Sequence, residues 1–184
     1  MNSPDFGQHY LDEASRQFRG YKRMGEGAVE QLKDEELFVT LDPESNSVAI
    51  LMKHIAGNLR SRFTDFLTTD GEKPNRQRDT EFEITPATTR AELMRWWDES
   101  WEILFSTIKS LTPDDLERTV TIRAEPHTVL QALNRSLAHH ASHVGQIVFL
   151  AKHLRSSDWK TLSVPRGKSK EFDSQMRAKF EQKA

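Results

Sequence analysis

Apolar residues recur along much of the chain at spacings of three, four or seven positions, the period of an amphipathic α-helix. The first such stretch covers residues 6–37 and predicts a first helix whose middle is weakened by glycines. The second carries an apolar stripe from Val48 to Phe66, and Ser45, Asn46 or Ser47 before it can cap its first turn. These patterns predict two helices joined by a short turn.

Two further helices are predicted in the second half of the chain. The third begins near Thr88 or Thr89, each close to an acidic residue in the manner of a capping box, and ends at the break formed by Pro113. The fourth follows Pro126 and keeps one apolar stripe as far as Leu154. The chain is therefore expected to contain four long amphipathic helices.

The segments outside these helices differ in composition. Residues 68–85 are rich in glycine, proline, asparagine and charge, which predicts a long surface connection outside the core. Residues 116–123 alternate with a period of two, which predicts a short extended or hairpin segment between helices three and four. Residues 156–184 form an irregular basic tail with a short helix expected over 171–183.

Length and composition fit one all-α domain. The 184 residues suffice for a single core, so we expect one domain over 1–184, with a four-helix bundle over about 6–155 and the tail over 156–184. A net charge of −2 gives no support for nucleic-acid binding. No apolar run approaches the roughly 20 residues that span a bilayer, and the N-terminus lacks the order of a signal peptide, so a cytoplasmic protein without membrane contact is expected.

Histidines are the strongest candidates for chemistry. His139 and His143 lie four residues apart on the fourth helix, which stacks their imidazoles on one face. Two imidazoles one turn apart can bind one divalent ion, and His54 on the second helix is the best candidate for a third ligand. Because the chain has no cysteine, any metal must rely on histidine, carboxylate and water. Helical geometry alone leaves His140 with His143 as a competing pair.

The residues His54, Asn58 and His139-x-x-x-His143-x-Gly-Gln-Ile resemble the DinB-like superfamily of metal-binding four-helix bundles over about residues 6–155. The tail sequence from Trp159 to Lys168 is similar to that of a mostly uncharacterised bacterial branch of this superfamily. The resemblance implies an up-down-down-up bundle, a homodimer, and a Ni or Zn ion bound by His54, His139 and His143.

Four further residues are candidates for supporting the metal or contacting a substrate. Asn58 follows His54 by one turn, and His140 is expected to pack or hydrogen-bond beside the ligands. Trp159 can fold back across the site, and Arg166 can offer positive charge to a carboxylate or phosphate.

The resemblance also implies a range of activities on small molecules. Some relatives transfer low-molecular-weight thiols such as bacillithiol or mycothiol onto electrophiles, and others catalyse hydrolysis or isomerisation. We therefore expect a metal-dependent thiol transferase or small-molecule hydrolase. The alternative is a dimeric structural or stress-response protein in which the metal fastens two helices without turnover.

Overall fold

The computed structural model describes residues 6–181, and within them the chain is mostly helical. These residues form five α-helices: α1 (Phe6–Val29), α2 (Val48–Phe63), α3 (Arg90–Ser110), α4 (Val129–Arg155) and α5 (Ser169–Glu181). Short 3-10 turns occur at Glu35–Phe38, Asp79–Phe82, Pro113–Glu117 and Ser156–Asp158. One antiparallel hairpin, β1 (Thr119–Ile122) and β2 (Glu125–Thr128), lies between α3 and α4.

Side-chain caps define where α2, α3 and α4 begin. The Ile50 N–H donates to Ser47 Oγ at 3.2 Å, and the Glu92 N–H donates to Thr89 Oγ1 at 3.2 Å. Thr128 caps α4 in a reciprocal capping box. Ser47 and Thr89 were among the predicted caps, so these two helix starts are confirmed.

The α1 to α4 helices enclose the core, and α2 is the most central of them. α2 packs chiefly against α3, α1 packs chiefly against α4, and smaller contacts join α2 to α4 and α1 to α3. Phe18 of α1 and Trp97 and Trp101 of α3 are among the largest fully buried side chains. α5 contributes no buried residue. None of the helices within residues 6–181 has the length and apolar composition needed to cross a bilayer.

The helix predicted over residues 6–37 is wrong beyond Val29, where α1 ends. Leu32 and Leu37 are nevertheless buried, in the turn after α1 and in the 3-10 turn that follows. The apolar spacing beyond Val29 therefore marks buried residues correctly, although these residues are not helical. The extended segment predicted over residues 116–123 is confirmed as β1, but its partner β2 lies beyond the predicted bounds. The predicted tail helix is confirmed, although α5 begins at Ser169, two residues before the expected start. Its expected end at residue 183 lies outside the described residues.

Residues 68–85 lie mostly at the surface, as predicted, but the prediction is wrong for two of them. Gly71 and Glu81 are both buried, with Glu81 only 7% exposed. The Gly71 N–H donates to the Thr121 carbonyl at 2.8 Å, and Ser61 Oγ donates to the Gly71 carbonyl at 2.7 Å. The segment is thereby joined to both the hairpin and α2, which brings polar side chains into the interior.

Asp70 fixes this segment to the turn of the hairpin. Its carboxylate accepts the backbone N–H groups of Arg123 and Ala124, both at 2.8 Å. These two turn residues have φ values of 56° and 61°, the left-handed conformation that residues with a side chain rarely adopt. The two hydrogen bonds help to hold a turn that the sequence does not favour.

Candidate metal centre

Three histidines from two helices converge at one point. His54 of α2 and His139 and His143 of α4 each offer a ring nitrogen, and these three atoms lie within 4.8 Å of one another. The ring centroids are 4.5 Å apart for His139 and His143, and 4.9 and 5.3 Å from His54 to His143 and His139. The cluster predicted from the sequence is therefore present, and it could hold a metal ion.

Two ring nitrogens in this cluster lack a partner. His139 Nε2 and His143 Nδ1 are buried and make no hydrogen bond within residues 6–181. A buried polar atom without a partner is costly unless a ligand satisfies it. Such nitrogens on converging imidazoles are the donors that a divalent transition metal prefers, so the residues fit a metal ion.

Burial keeps the α4 pair uncharged. It lowers the pKa of His139 to about 3, with smaller contributions from the neighbouring His140 and His143. Burial also lowers the pKa of His143, and the proximity of His54 acts in the same direction. Near neutral pH both imidazoles are therefore neutral, which is the form that coordinates metals.

Glu81 orients the third histidine. His54 Nδ1 lies 2.9 Å from Glu81 Oε2, in a contact where both side chains are buried. An ionised carboxylate can only accept a hydrogen bond, so Nδ1 carries a proton, and in the neutral imidazole the free lone pair is that of Nε2. A carboxylate bonded to the outer nitrogen of a ligand histidine is a common arrangement in metal sites.

Arg76 holds Glu81 in its ionised form. Arg76 donates from Nε to Glu81 Oε1 at 2.7 Å and from Nη2 to Oε2 at 2.9 Å. Burial alone would raise the pKa of Glu81, but the hydrogen bonds from His54 and Arg76 outweigh it and leave the pKa below its ordinary value. Glu81 is thus a charged acceptor for the His54 proton.

Two residues on α2 near His54 determine where the Glu81 side chain lies. Lys53 Nζ donates to the carbonyls of Thr80 and Glu83 at 2.6 and 2.7 Å, which fixes the 3-10 turn carrying Glu81. A Cβ at Gly57 would lie 2.6 Å from Glu81 Cδ. Gly57 therefore leaves the space in which the Glu81 carboxylate lies.

His140 has a different role from its neighbours. It is fully buried and packs edge-on against Phe18, with ring centroids 6.0 Å apart, and against Trp101 at 5.7 Å. Its Nδ1 donates to the Ser136 carbonyl at 2.7 Å. Burial lowers the pKa of His140 to about 4. It is not part of the converging cluster, as expected for a residue that packs beside the site.

A cavity of about 360 Å³ opens beside the cluster. His54 and His139 line it, whereas His143 does not. Asn58 also lines it, and its side chain makes no hydrogen bond within residues 6–181. The expected role of Asn58 beside the metal or a substrate stays a prediction.

Trp159 and Arg166 lie away from this cavity. Trp159 is half-buried and packs against the hydrophobic core, and Arg166 is exposed in the tail. Neither residue lines the cavity. Glu81 and Arg76, in contrast, belong to the site but were missed by sequence analysis, because nothing in a polar loop distinguishes one acidic or basic residue from another.

The site thus consists of two helical segments that supply imidazoles and one connecting segment that supplies a carboxylate. No curated protein matches the chain significantly. The sequence does match, over residues 5–168, the family described as "Protein of unknown function (DUF1572)", and the chain belongs to that family.

Proposed function

We propose that this protein is a divalent-metal-dependent enzyme related to the DinB-like superfamily. In this proposal α1 to α4 form an up-down-down-up four-helix bundle, and metal sites in such bundles are commonly built from side chains on facing helices. The position of the three histidines on α2 and α4 supports the relationship.

His54, His139 and His143 are the proposed ligands, and Ni or Zn is the proposed metal. A divalent cation at this position would act as a Lewis acid that makes a nearby thiol or water easier to deprotonate. Glu81 holds the proton of His54 at Nδ1 and so keeps Nε2 available, while Arg76 fixes the position of Glu81. The buried side of the site excludes bulk water from these groups.

The proposed reaction transfers a low-molecular-weight thiol to an electrophilic small molecule. The thiol proton passes to solvent, the sulfur forms a bond to the electrophilic carbon, and the leaving group departs with the electrons of the broken bond. The cavity beside His54 and His139 is the proposed binding place for the electrophile.

One observation favours an enzyme over a structural protein in which the metal only fastens two helices. The converging cluster contains three histidines, and no fourth histidine or carboxylate joins it within residues 6–181. Structural zinc sites are usually closed by four protein ligands, whereas catalytic sites keep one position for water or substrate. A three-ligand site beside a cavity favours catalysis.

The test begins with metal analysis of protein purified without a histidine tag. Wild type is expected to carry about one Ni or Zn per chain, and His54→Ala to carry almost none. His153→Ala is the matched control, since His153 is an exposed histidine on α4 outside the cluster. It is expected to keep the metal.

A thiol-transfer screen then tests the reaction. Bacillithiol, mycothiol and glutathione are each mixed with monochlorobimane, and adduct formation is followed by fluorescence with and without protein. The proposal expects metal-dependent turnover with one of these thiols that His54→Ala abolishes and His153→Ala retains. Full metal occupancy without turnover of any thiol or hydrolysable substrate would instead support the structural protein.

A further inference from the structure

The cavity beside the metal centre is lined by positive charge. Five arginines line it, whereas no aspartate or glutamate does so within residues 6–181. The arginines are Arg62, Arg76, Arg78, Arg123 and Arg135. A partly enclosed cavity lined by charges of one sign concentrates the electrostatic field, so this positively charged wall attracts anions.

Acidic neighbours neutralise only some of these arginines. Glu72 lies 3.1 Å from Arg62 and 3.2 Å from both Arg76 and Arg123, and Glu81 pairs with Arg76. Asp70 is a further acidic group near this region, and backbone N–H groups of the hairpin turn engage its carboxylate. The guanidinium groups therefore outnumber the carboxylates around the cavity.

Arg135 and Arg78 have no acidic partner. The guanidinium groups of both residues make no hydrogen bond or ion pair within residues 6–181, and that of Arg78 lies over the ring of Phe82, at 5.1 Å from its centroid. Arg135 precedes His139 by four residues on α4, so its side chain lies on the same helical face as a proposed ligand. Both arginines are available to a bound anion.

The rest of the wall is partly apolar. Phe63 and Phe66 contact each other with tilted rings at a centroid distance of 5.2 Å, and Ile122 of the hairpin also lines the cavity. The volume of about 360 Å³ lies within the range of pockets that bind small molecules, roughly 300–1,000 Å³. A ligand that matches this wall has an apolar part and a charged end.

We propose that the cavity binds a small organic anion, whose carboxylate or phosphate group is held by Arg135 and Arg78 and whose apolar part packs against Phe63 and Phe66. As a statement about the substrate, this inference rests on the proposed function. The binding itself depends only on the arginines and can be measured without metal.

The test is calorimetric titration of metal-free protein, dialysed free of chelator, with four probes near neutral pH. Phenyl phosphate and phenylsuccinate carry two charges, benzoate carries one, and benzyl alcohol carries none. We expect the dianions to bind about tenfold more tightly than benzoate, and benzyl alcohol not to bind measurably. The stronger of the two dianions identifies phosphate or carboxylate as the natural group.

Variants locate the binding. Arg135→Gln should weaken binding of the stronger dianion by about tenfold or more, because a charged hydrogen-bond donor is lost. Arg23→Gln is the matched control: Arg23 is an exposed helical arginine outside the cavity, without a side-chain partner within residues 6–181. It should bind the dianion as wild type does.

Three results would overturn this inference. The first is equal affinity for benzyl alcohol and the dianions, and the second is an Arg135→Gln variant that binds the dianion as wild type does. The third is binding that occurs only after zinc is added and is unchanged by Arg135→Gln, because the anion would then be a ligand of the metal alone. If metal analysis finds no bound metal but anion binding depends on Arg135, the proposed metal-dependent enzyme is refuted and the anion-binding site is retained.

Discussion

The two sides of the candidate site are built from different kinds of structure. His54, His139 and His143 project from long helices whose positions follow from the packing of α2 against α4. Glu81 and Arg76 come from the irregular connection between α2 and α3. The helices bring the metal-binding nitrogens together, whereas the connection supplies the carboxylate that bonds to His54 Nδ1 and two of the arginines that line the cavity.

This difference implies that the two sides can be disturbed separately. Substitution of a histidine on the helical side should abolish metal binding. Substitution of Glu81 or Arg76 in the connecting segment should weaken metal binding without abolishing it, because the three imidazoles remain in place. Packing residues such as His140 should affect stability more than metal affinity.

The largest effect is expected from a comparison of adjacent histidines on α4. His139→Ala removes one of three ligands, so we expect zinc affinity to fall more than about 100-fold, while the metal-free protein keeps its melting temperature. His140→Ala removes a fully buried ring, so we expect a loss of about 2–4 kcal/mol in the free energy of unfolding with zinc binding retained. Zinc titration and chemical denaturation measure the two quantities. The reverse pattern would make His140 the ligand.

A smaller effect is expected from Glu81→Gln. The amide cannot provide the charged acceptor for His54 Nδ1, so zinc affinity should fall by about 10- to 100-fold without being lost. The variant also leaves Arg76 without its buried partner, so its melting temperature should fall.

Glu83→Gln provides the control for this substitution, because Glu83 is exposed and lies two residues along the same segment. Zinc affinity is compared by competition with a fluorescent chelator at a temperature where both variants are folded. Equal affinities for the two variants would show that Glu81 does not act on the metal site.

Gly57→Ala disturbs the same contact without changing a charge. The new Cβ would push the Glu81 side chain away from His54, and we expect zinc affinity to fall by about five- to tenfold. Gly20→Ala is the control, since a Cβ there meets nothing within 4 Å, and it should raise stability by up to about 1 kcal/mol. Zinc affinity is again measured by competition. A Gly57→Ala variant with normal zinc affinity would contradict the role of this contact.

The smallest effect is expected from Asp70→Asn, which weakens the bonds to the hairpin turn. Burial opposes ionisation of Asp70, but the backbone hydrogen bonds lower its pKa below the ordinary value. Ionised Asp70 should contribute about 1–2 kcal/mol to the free energy of unfolding. This contribution should be present above the unfolded-state pKa of about 3.9 and should disappear as the pH falls through the lower folded-state pKa. Denaturation of wild type and variant across this range checks the prediction. A difference that grows on acidification would refute it.

The sequence was sufficient for the starts of α2 and α3 and for the histidine cluster. Ser47 and Thr89 mark helix starts by capping chemistry, and the four-residue spacing of His139 and His143 has one geometric meaning on a helix. Helical geometry alone did not separate His139 from His140. That choice depends on how α4 is rotated against α1 and α3, which is set by packing with residues such as Phe18 and Trp101.

The connecting segment could not be predicted in the same way. Its polar composition is typical of a surface loop, but Asp70 binds the hairpin turn and Glu81 binds His54. These contacts join residues 27 to 54 positions apart in the sequence, and no local periodicity relates them. The turn itself has left-handed residues without glycine or asparagine, so β2 also lacked a recognisable signal.

The most direct test of the metal centre is X-ray absorption spectroscopy of the protein loaded with one zinc per chain. The account predicts three imidazole nitrogens at about 2.0–2.1 Å together with one oxygen from solvent. His143→Ala should lose this spectrum and His153→Ala should keep it. A zinc environment with four protein ligands, or one without imidazole scattering, would contradict an open site formed by His54, His139 and His143.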